Sequence, residues 1–300
     1  MKAIWSFWTK PDDYRRRTWA SERHHLLAWA LSLGTVQRHY EETSLHTDTR
    51  GARLLIDVLG LGFKSVSTAL DRLEGCDPAW WGLAKLDAYR SQTEPFLHFD
   101  NDTFLWRRLP ERIENAQVVA QNAEDFVVGA SFYAPEKFDR VLLAADGWAP
   151  EEWKWYGSIG PRRRAACCGV FGGNNLDFIR HYANTAFAMA ENPRNSPGWA
   201  VSEKHDSDNL LFEQYLLSAC LNYHRAREGS PFQSISIEYL FPGTANPYDS
   251  RTAADLGYTH LIGGAKRHPR VGERLERRMA DEYPETYERI IAWTQDNGGK

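Results

Sequence analysis

Two carboxylates follow a short apolar segment in the first third of the chain. The run 96–99 is mostly apolar, and Asp100, Asn101 and Asp102 come directly after it. Such a run predicts a buried strand, and open α/β sheets bind their ligands at the carboxyl ends of their strands. A desolvated carboxylate is costly unless it is paired or bound to a metal. The Asp-x-Asp pattern therefore predicts a site for Mg²⁺ or Mn²⁺; a solvated strand-to-loop junction is the alternative.

A second group of chemically capable residues lies near the end of the chain. His260, Gly263, Gly264 and Lys266 occur within seven residues. Histidine is a versatile metal ligand, glycine lets backbone N–H groups approach a phosphate closely, and lysine supplies positive charge for phosphate oxygens. The alternative is a glycine-rich surface turn with an exposed lysine.

The elements that must position these residues follow from the hydrophobic pattern. Strands are predicted at 3–9, 43–47, 64–66 and 96–100, and helices at 22–40, 51–59 and 80–90. Further along, strands are predicted at 164–173 and 234–240, and helices at 176–190, 209–223 and 274–295. Alternation of strands and helices predicts an α/β fold with a Rossmann-like, mostly parallel mixed sheet flanked by helices. No break in composition indicates a linker, so a single domain is expected.

The composition excludes several classes of protein. A net charge of −4 over 300 residues gives no electrostatic case for binding nucleic acid or an anionic membrane. No run of 18 apolar residues and no signal-peptide core occurs, so neither a transmembrane segment nor export is expected. The four cysteines lack C-x-x-C spacing, which indicates neither a zinc site nor a disulfide framework. A cytoplasmic protein with free thiols is expected.

In this order, the two motifs resemble a known enzyme family. Asp100-Asn101-Asp102, followed by His260-x-x-Gly263-x-x-Lys266, is similar to the pattern of the retaining family 8 glycosyltransferases, of the glycogenin and lipopolysaccharide galactosyltransferase type. The helix 84–89 and the strand 168–171 match that family in outline, so the resemblance covers about residues 80–270. It implies a GT-A (nucleotide-diphospho-sugar transferase) fold over residues 1–300. Within it, 1–105 would bind the nucleotide sugar, 106–270 would hold the acceptor half and the closing motif, and 271–300 would form a C-terminal helix.

The resemblance also implies a set of donor-binding residues. Asp100 and Asp102 of the DXD motif, with His260, would bind Mn²⁺ or Mg²⁺, while Gly263, Lys266 and Lys85 would contact the diphosphate or the sugar of a nucleoside-diphosphate sugar. UDP is the expected nucleotide. An ordinary exposed helix lysine is the alternative for Lys85.

The nucleobase is expected at the ends of the first two strands. Ser6, Trp8 and Thr9 end the first predicted strand, and Asp48 follows the second. The crevice at the carboxyl ends of a parallel sheet is where nucleotides bind. Trp8 would stack on uracil, or else belong to the aromatic core.

Two carboxylates are candidates for the catalytic step. The related enzymes begin a helix with an Asp-Gln pair facing the anomeric carbon; Asp208-Asn209 is the nearest match here, with Asn in place of Gln. Helix capping also accounts for Asp208. Glu213 or Asp208 would instead be the general base of an inverting enzyme. Retention is expected from the His260-x-x-Gly263-x-x-Lys266 resemblance.

The expected activity is therefore metal-dependent transfer of a sugar from a nucleotide-sugar donor to an unidentified acceptor. That acceptor would be a glycan, a peptide, a lipid head group or a small metabolite. A nucleotidyltransferase would show a glycine-rich basic loop after the first strand, where residues 10–13 read Lys-Pro-Asp-Asp. A non-catalytic nucleotide- or carbohydrate-binding relative is the remaining alternative.

Overall fold

The structure is a computed structural model that describes residues 1–11 and 18–297. Asp12 and Asp13 of the segment after the first strand lie outside the described residues, as do 298–300 of the predicted C-terminal helix. The chain divides into two compact units. The first comprises 1–78, 97–109 and 247–300, and the second comprises 79–96 and 110–246. The predicted division at residues 105 and 270 stays a prediction.

The first unit is built on parallel strands with helices beside them. Its strands are β1 (Lys2–Phe7), β2 (Thr43–Thr47), β3 (Ser65–Ser67), most of β4 (Phe96–Phe99), β5 (Thr103–Leu105) and β9 (Tyr258–His260). Its helices are α1 (Glu22–Gln37), α2 (Thr49–Ala52), α10 (Ser250–Leu256), α11 (Pro269–Glu282) and α12 (Pro284–Asn297). The order β3-β2-β1-β4 places the carboxyl ends of β1 and β2 side by side, because the two strands run parallel.

The second unit carries the remaining strands and a large helical layer. Its strands are β6 (Val118–Val127), β7 (Arg162–Gly173) and β8 (Ile237–Tyr239). Its helices are α3 (Gly82–Arg90), α4 (Glu111–Glu114), α5 (Pro135–Ala144), α6 (Glu151–Ser158), α7 (Leu176–Ala190), α8 (Ser196–Val201) and α9 (Leu216–Ala226). β6 pairs antiparallel with β7 and parallel with β8. The predicted α/β fold class, with a mostly parallel mixed sheet flanked by helices, is thus confirmed.

Several elements differ from the sequence prediction. Most of the helix predicted at 51–59 is a π-helical turn, Arg53–Val58. The helix predicted at 274–295 is two helices, because Pro284 disfavours helical backbone at Tyr283, which has φ −140° and ψ 55°. The helix predicted at 209–223 contains a π-helical turn at Leu211–Tyr215, which precedes the α-helix Leu216–Ala226. The strand β6 was not predicted.

Aromatic side chains make up much of both cores. In the first unit Trp5 packs on Phe99 with ring centroids 5.7 Å apart, and Phe7 meets Trp29 edge-on at 5.2 Å. In the second unit Trp80, Phe138, Trp199 and Phe212 form one buried cluster. Offset and edge-to-face contacts of this kind add to the stability that burial provides. Across the part of the chain that the structure describes, no helix has the length and apolar character needed to cross a bilayer.

A short two-stranded sheet joins two distant segments of the first unit. β5 pairs antiparallel with β9, so that Thr103 lies opposite His260 and Leu105 opposite Tyr258. The pairing continues at both ends, where Leu261 N donates to Asp102 O at 3.0 Å and Trp106 N donates to Gly257 O at 2.7 Å. Neither strand was predicted, because three residues are too short for a periodic signal.

Gly257 directly precedes β9, and replacing it tests how much the backbone at this position contributes to stability. It ends α10 with φ +65°, and an added Cβ would lie 2.9 Å from Arg107 N and 2.7 Å from Arg107 Cβ. We expect Gly257→Ala to lower the free energy of unfolding by about 1–3 kcal/mol, because left-handed backbone strain and a steric clash add together. Urea denaturation measures the change.

Gly62→Ala is the matched control. Gly62 has no positive φ, and an added Cβ there has nothing within 4 Å. Equal stability of the two alanine variants would contradict the expectation.

Candidate metal centre

Three potential metal ligands lie together in the first unit. Asp100, Asp102 and His260 each offer one ligand atom, and these atoms lie within 4.8 Å of one another. Asp100 and Asp102 follow β4, while His260 ends β9 and is brought beside Asp102 by its pairing with Thr103. His260 therefore lies close to the acid pair, as expected from the sequence. Their role as ligands stays a prediction.

Asp102 is the electrostatic centre of this cluster. Its residue is 3% exposed, Lys266 Nζ contacts its Oδ2, and His260 Nε2 lies 3.4 Å from its Oδ1. Oδ1 is buried and accepts no hydrogen bond within the described residues. Burial by itself would raise the pKa of Asp102, but attraction to the Lys266 ammonium and to the neighbouring His260 imidazole outweighs it and holds that pKa well below its usual range. The carboxylate is therefore ionised and lies against the Lys266 ammonium.

Asp100 is held through its backbone, which leaves its carboxylate partly exposed. Its carbonyl oxygen accepts hydrogen bonds from Ser32 Oγ at 3.2 Å and from Thr103 Oγ1 at 2.7 Å. Ser32 Oγ in turn accepts from Trp5 Nε1 at 3.0 Å. Helix α1 and strand β1 therefore fix where the acid pair begins.

His98 is a buried polar residue beneath the site that sequence reasoning did not single out. Its Nε2 lies 3.0 Å from Ser6 Oγ, and its Nδ1 lies 3.7 Å from Asp100 Oδ1. The signal was available, because His98 stands at i−2 from Asp100 and neighbouring alternate residues of a strand share a face. Ser6, predicted to contact the nucleobase, therefore bonds His98, whose other ring nitrogen lies near Asp100.

Lys266 lies on a single 3₁₀ turn, Gly263–Arg267, that follows β9. Gly263 begins the turn with φ +54°, a conformation that other residues rarely adopt, and an added Cβ there would meet nothing within 4 Å. The Lys266 ammonium also lies 5.8 Å from the centre of the Trp19 ring, within cation–π range. The turn therefore places the Lys266 ammonium against Asp102 and leaves free space beside the backbone of Gly263.

Two of the residues predicted to cradle the nucleobase, Thr9 and Asp48, bond to each other. Asp48 Oδ2 accepts from Thr9 N at 2.8 Å and from Thr9 Oγ1 at 2.7 Å, and its Oδ1 accepts from Gly51 N at 2.6 Å. Asp48 is the N-cap of α2. Trp8 is 5% exposed, so its side chain lies in the core, which was the alternative to stacking on uracil. Their nucleobase roles stay predictions.

In the second unit, Lys85 is ion-paired to Glu213. Lys85 Nζ lies 2.5 Å from Glu213 Oε1, which also accepts a hydrogen bond from Tyr89 Oη at 3.1 Å. Glu213 is fully buried in the π-helical turn, and Lys85 is 8% exposed. Lys85 is therefore not the exposed helix lysine that the sequence left open as an alternative.

Asp208 is likewise engaged within the second unit. Its Oδ2 accepts from His205 N at 2.8 Å and lies 2.6 Å from Lys137 Nζ. It sits at the end of a 3₁₀ turn, Asp206–Asp208, as the reciprocal half of a capping box. Asp208 therefore caps a helical turn, as the capping interpretation predicted. It does so from the end of the turn, whereas His205 is the N-cap.

A cavity of about 540 Å³ in the first unit lies beside the small sheet. Phe104, Trp106, Thr259, Arg274 and Arg278 are among its lining residues, and Asp100, Asp102, His260 and Lys266 are not. Successive residues of a strand face opposite sides, so Thr259 faces this cavity while His260 faces Asp102.

Comparison with known sequences assigns the chain to a family. The profile of DUF6734, described as a family of unknown function, matches residues 1–293. The chain belongs to DUF6734. Among solved structures, this DUF6734 chain is similar to that of the galactosyltransferase LgtC in complex with donor and acceptor sugar analogues, at 13% identity and a TM-score of 0.36. The match covers 91% of this chain and 96% of that one. No curated protein matches at the significance required.

The Lys266–Asp102 contact can be tested without any ligand. In the presence of a chelator, Lys266→Met should lower the free energy of unfolding by roughly 1–3 kcal/mol, because a buried carboxylate loses its cation. Asp102→Asn in the same protein should restore most of the loss.

The pH dependence follows from the depressed pKa of Asp102. Its ionic contribution is present above the unfolded-state pKa of about 3.9 and is lost as the pH falls toward the folded-state value. The stability advantage of wild type over Lys266→Met should therefore shrink from pH 6 to pH 3. A difference that does not change with pH, measured by chemical denaturation, would contradict this account.

Proposed function

We propose that this protein is a metal-dependent glycosyltransferase that uses a nucleoside-diphosphate sugar, with UDP as the expected nucleotide and retention of anomeric configuration. The observation that carries the proposal is the convergence of Asp100, Asp102, His260 and Lys266 in one unit. The sequence resemblance to retaining glycosyltransferases assigns these four positions to one function, and they come from segments some 160 residues apart.

The residues present suit a divalent cation. Two carboxylates and an imidazole offer an oxygen-rich, mixed donor set of the kind that Mn²⁺ accepts, and Mg²⁺ is the alternative. Asp102 Oδ1 is buried, lies 3.4 Å from His260 Nε2 and accepts no hydrogen bond of good geometry among the described residues, so it is available as a ligand atom. When bound, the cation would supply Lewis-acid stabilisation of the departing diphosphate.

The chain's own residues would contribute charge and shape at the same place. Lys266 would add a positive charge beside the phosphate oxygens, where developing negative charge is stabilised most strongly in a site that excludes water. Gly263, with its open left-handed backbone, would let N–H groups approach those oxygens. His98 would act as a positioning residue, since it lies between Ser6 and Asp100.

The nucleobase is proposed to bind at the adjoining carboxyl ends of β1 and β2. Because the Asp48 carboxylate is occupied by Thr9 and Gly51, we propose that it shapes this edge and that backbone groups of the segment contact the base. The Thr9–Asp48 bonds would keep the two strand ends in register when the base binds.

Burial of the two candidate catalytic carboxylates supports retention over inversion. An inverting enzyme needs a carboxylate that can receive the acceptor's proton. Glu213 is fully buried against Lys85, and Asp208 is bound to Lys137 and the His205 backbone. In the proposed reaction attack on the same face is assisted by the leaving diphosphate.

Binding is tested by thermal unfolding with UDP and Mn²⁺. Because a cation held by the acid cluster would neutralise the diphosphate, the rise in Tm with both ligands should exceed the sum of the separate rises. The Asp102→Asn variant should lose this excess. Additive shifts in wild-type protein would count against joint binding of the cation and the nucleotide.

Chemistry is tested by a screen of nucleotide sugars for hydrolysis in Mn²⁺. We expect one donor to be hydrolysed, and Asp102→Asn to lower the rate at least about 100-fold, because loss of one electrostatic group at a transition state has such an effect. Asp57→Asn, at an exposed acid of the same unit, is the matched control and should retain full activity.

The anomer released first from that donor separates the two stereochemical outcomes. Proton NMR recorded before mutarotation should show that the released sugar has the same anomeric configuration as it had in the donor. Release of the opposite anomer would establish inversion. Full activity in Asp102→Asn would refute the proposed role of the acid pair.

A further inference from the structure

A second group of ligand-type side chains lies within the second unit. Glu152, His181 and His224 each direct one atom to a common point. His181 Nε2 lies 2.9 Å from Glu152 Oε1 and 2.9 Å from His224 Nε2, and His224 Nε2 lies 3.5 Å from Glu152 Oε1. None of these residues belongs to the Asp100 cluster, and none was singled out from the sequence, where they are 29 and 43 residues apart.

Three different helices supply the three side chains. Glu152 is in the first turn of α6, His181 is in the first half of α7, and His224 is in the last turn of α9. α9 packs against both α6 and α7. Phe178 and Phe232 surround the imidazole of His224, with ring centroids 6.5 and 5.2 Å away. The packing of apolar helix faces therefore fixes the three polar atoms relative to one another.

His224 is oriented in the manner of a metal ligand. His224 Nδ1 lies 2.7 Å from Ser230 Oγ. A proton held on Nδ1 and donated to that hydroxyl leaves the Nε2 lone pair directed at the common point, which is how outer hydrogen bonds fix the tautomer of ligating histidines. Glu152 and His224 are 8% and 7% exposed, so water competes little for their polar atoms.

The spacing of the three atoms matches a small tetrahedral ion. Bonds of about 2.0–2.1 Å to zinc place neighbouring ligand atoms roughly 3.3–3.4 Å apart, and the observed separations fall on either side of that value. Two imidazole nitrogens favour zinc over Mg²⁺ or Ca²⁺, which prefer oxygen. A cavity of about 520 Å³, lined in part by Glu152, His181, Thr185 and Tyr223, adjoins the cluster and leaves room for a water as fourth ligand.

We propose that Glu152, His181 and His224 form a zinc-binding site. Two imidazoles and one carboxylate with an open fourth position is a known donor set for zinc. By joining α6, α7 and α9 through one ion, zinc would stabilise the helical layer of the second unit. The site needs neither Mn²⁺ nor a nucleotide sugar, so it stands independently of the proposed glycosyltransferase activity.

The test is zinc titration of metal-free protein, monitored by competition with a chromophoric chelator. The protein carries Asp102→Asn and is kept in excess Mg²⁺, so that the Asp100 cluster does not compete for zinc. We expect one equivalent to bind with a rise in Tm. His181→Ala and Glu152→Gln should each weaken binding at least about tenfold, since even outer-sphere partners change affinity by that factor.

His205→Ala is the matched control, because it removes a more exposed histidine from the same unit. It should bind zinc as the parent does. Cobalt provides a second measurement: the visible absorption of tetrahedral Co²⁺ should appear in the parent and be lost in Glu152→Gln, which keeps the size of the side chain and is expected to fold. Absence of saturable zinc binding, or equal affinity in Glu152→Gln and parent, would overturn the proposal.

Discussion

The pairing of β5 with β9 is the constraint on which the candidate metal centre depends. Asp102 ends the turn after β4, and His260 is separated from it by about half of the chain. The antiparallel register places His260 opposite Thr103, and the bond from Leu261 N to Asp102 O extends the pairing to the acid itself. A two-stranded sheet of three residues per strand is marginal on its own, so it persists because Trp106 Nε1 bonds Thr259 Oγ1 at 3.0 Å and neighbouring groups pack around it.

Charge balance explains why the cluster can exist before a cation binds. A buried carboxylate is stable only when its charge is compensated. Lys266 compensates Asp102 in this structure, His260 lies beside the same carboxylate, and both come from the segment that β9 brings back to the site. In the proposed reaction Lys266 lies beside the incoming diphosphate, so a side chain that stabilises the fold would also bind the substrate. Fold stability and donor binding are then linked through one ammonium group.

The second unit follows a different principle, in which polar groups are enclosed by aromatic packing. Lys85 and Glu213 form a buried ion pair between α3 and the π-helical turn, and Tyr89 adds a hydrogen bond. Breaking a buried pair by removing one partner costs several kcal/mol, on the order of 3–5, so this pair has a structural role whether or not it also contacts substrate. The Glu152, His181 and His224 cluster is enclosed in a similar way, but its three acceptor-type atoms face one another.

The sequence by itself determined the fold class and the strand that precedes Asp100, because hydrophobic periodicity is a local property that can be read without coordinates. Its resemblance to a known enzyme family pointed to the four residues in the candidate metal centre. It did not determine that β9 exists, that His98 lies between Ser6 and Asp100, or that Glu213 is paired with Lys85. It also missed the second histidine cluster. Those features depend on contacts between residues far apart in the chain, where strand register and helix packing, not local pattern, decide which side chains meet.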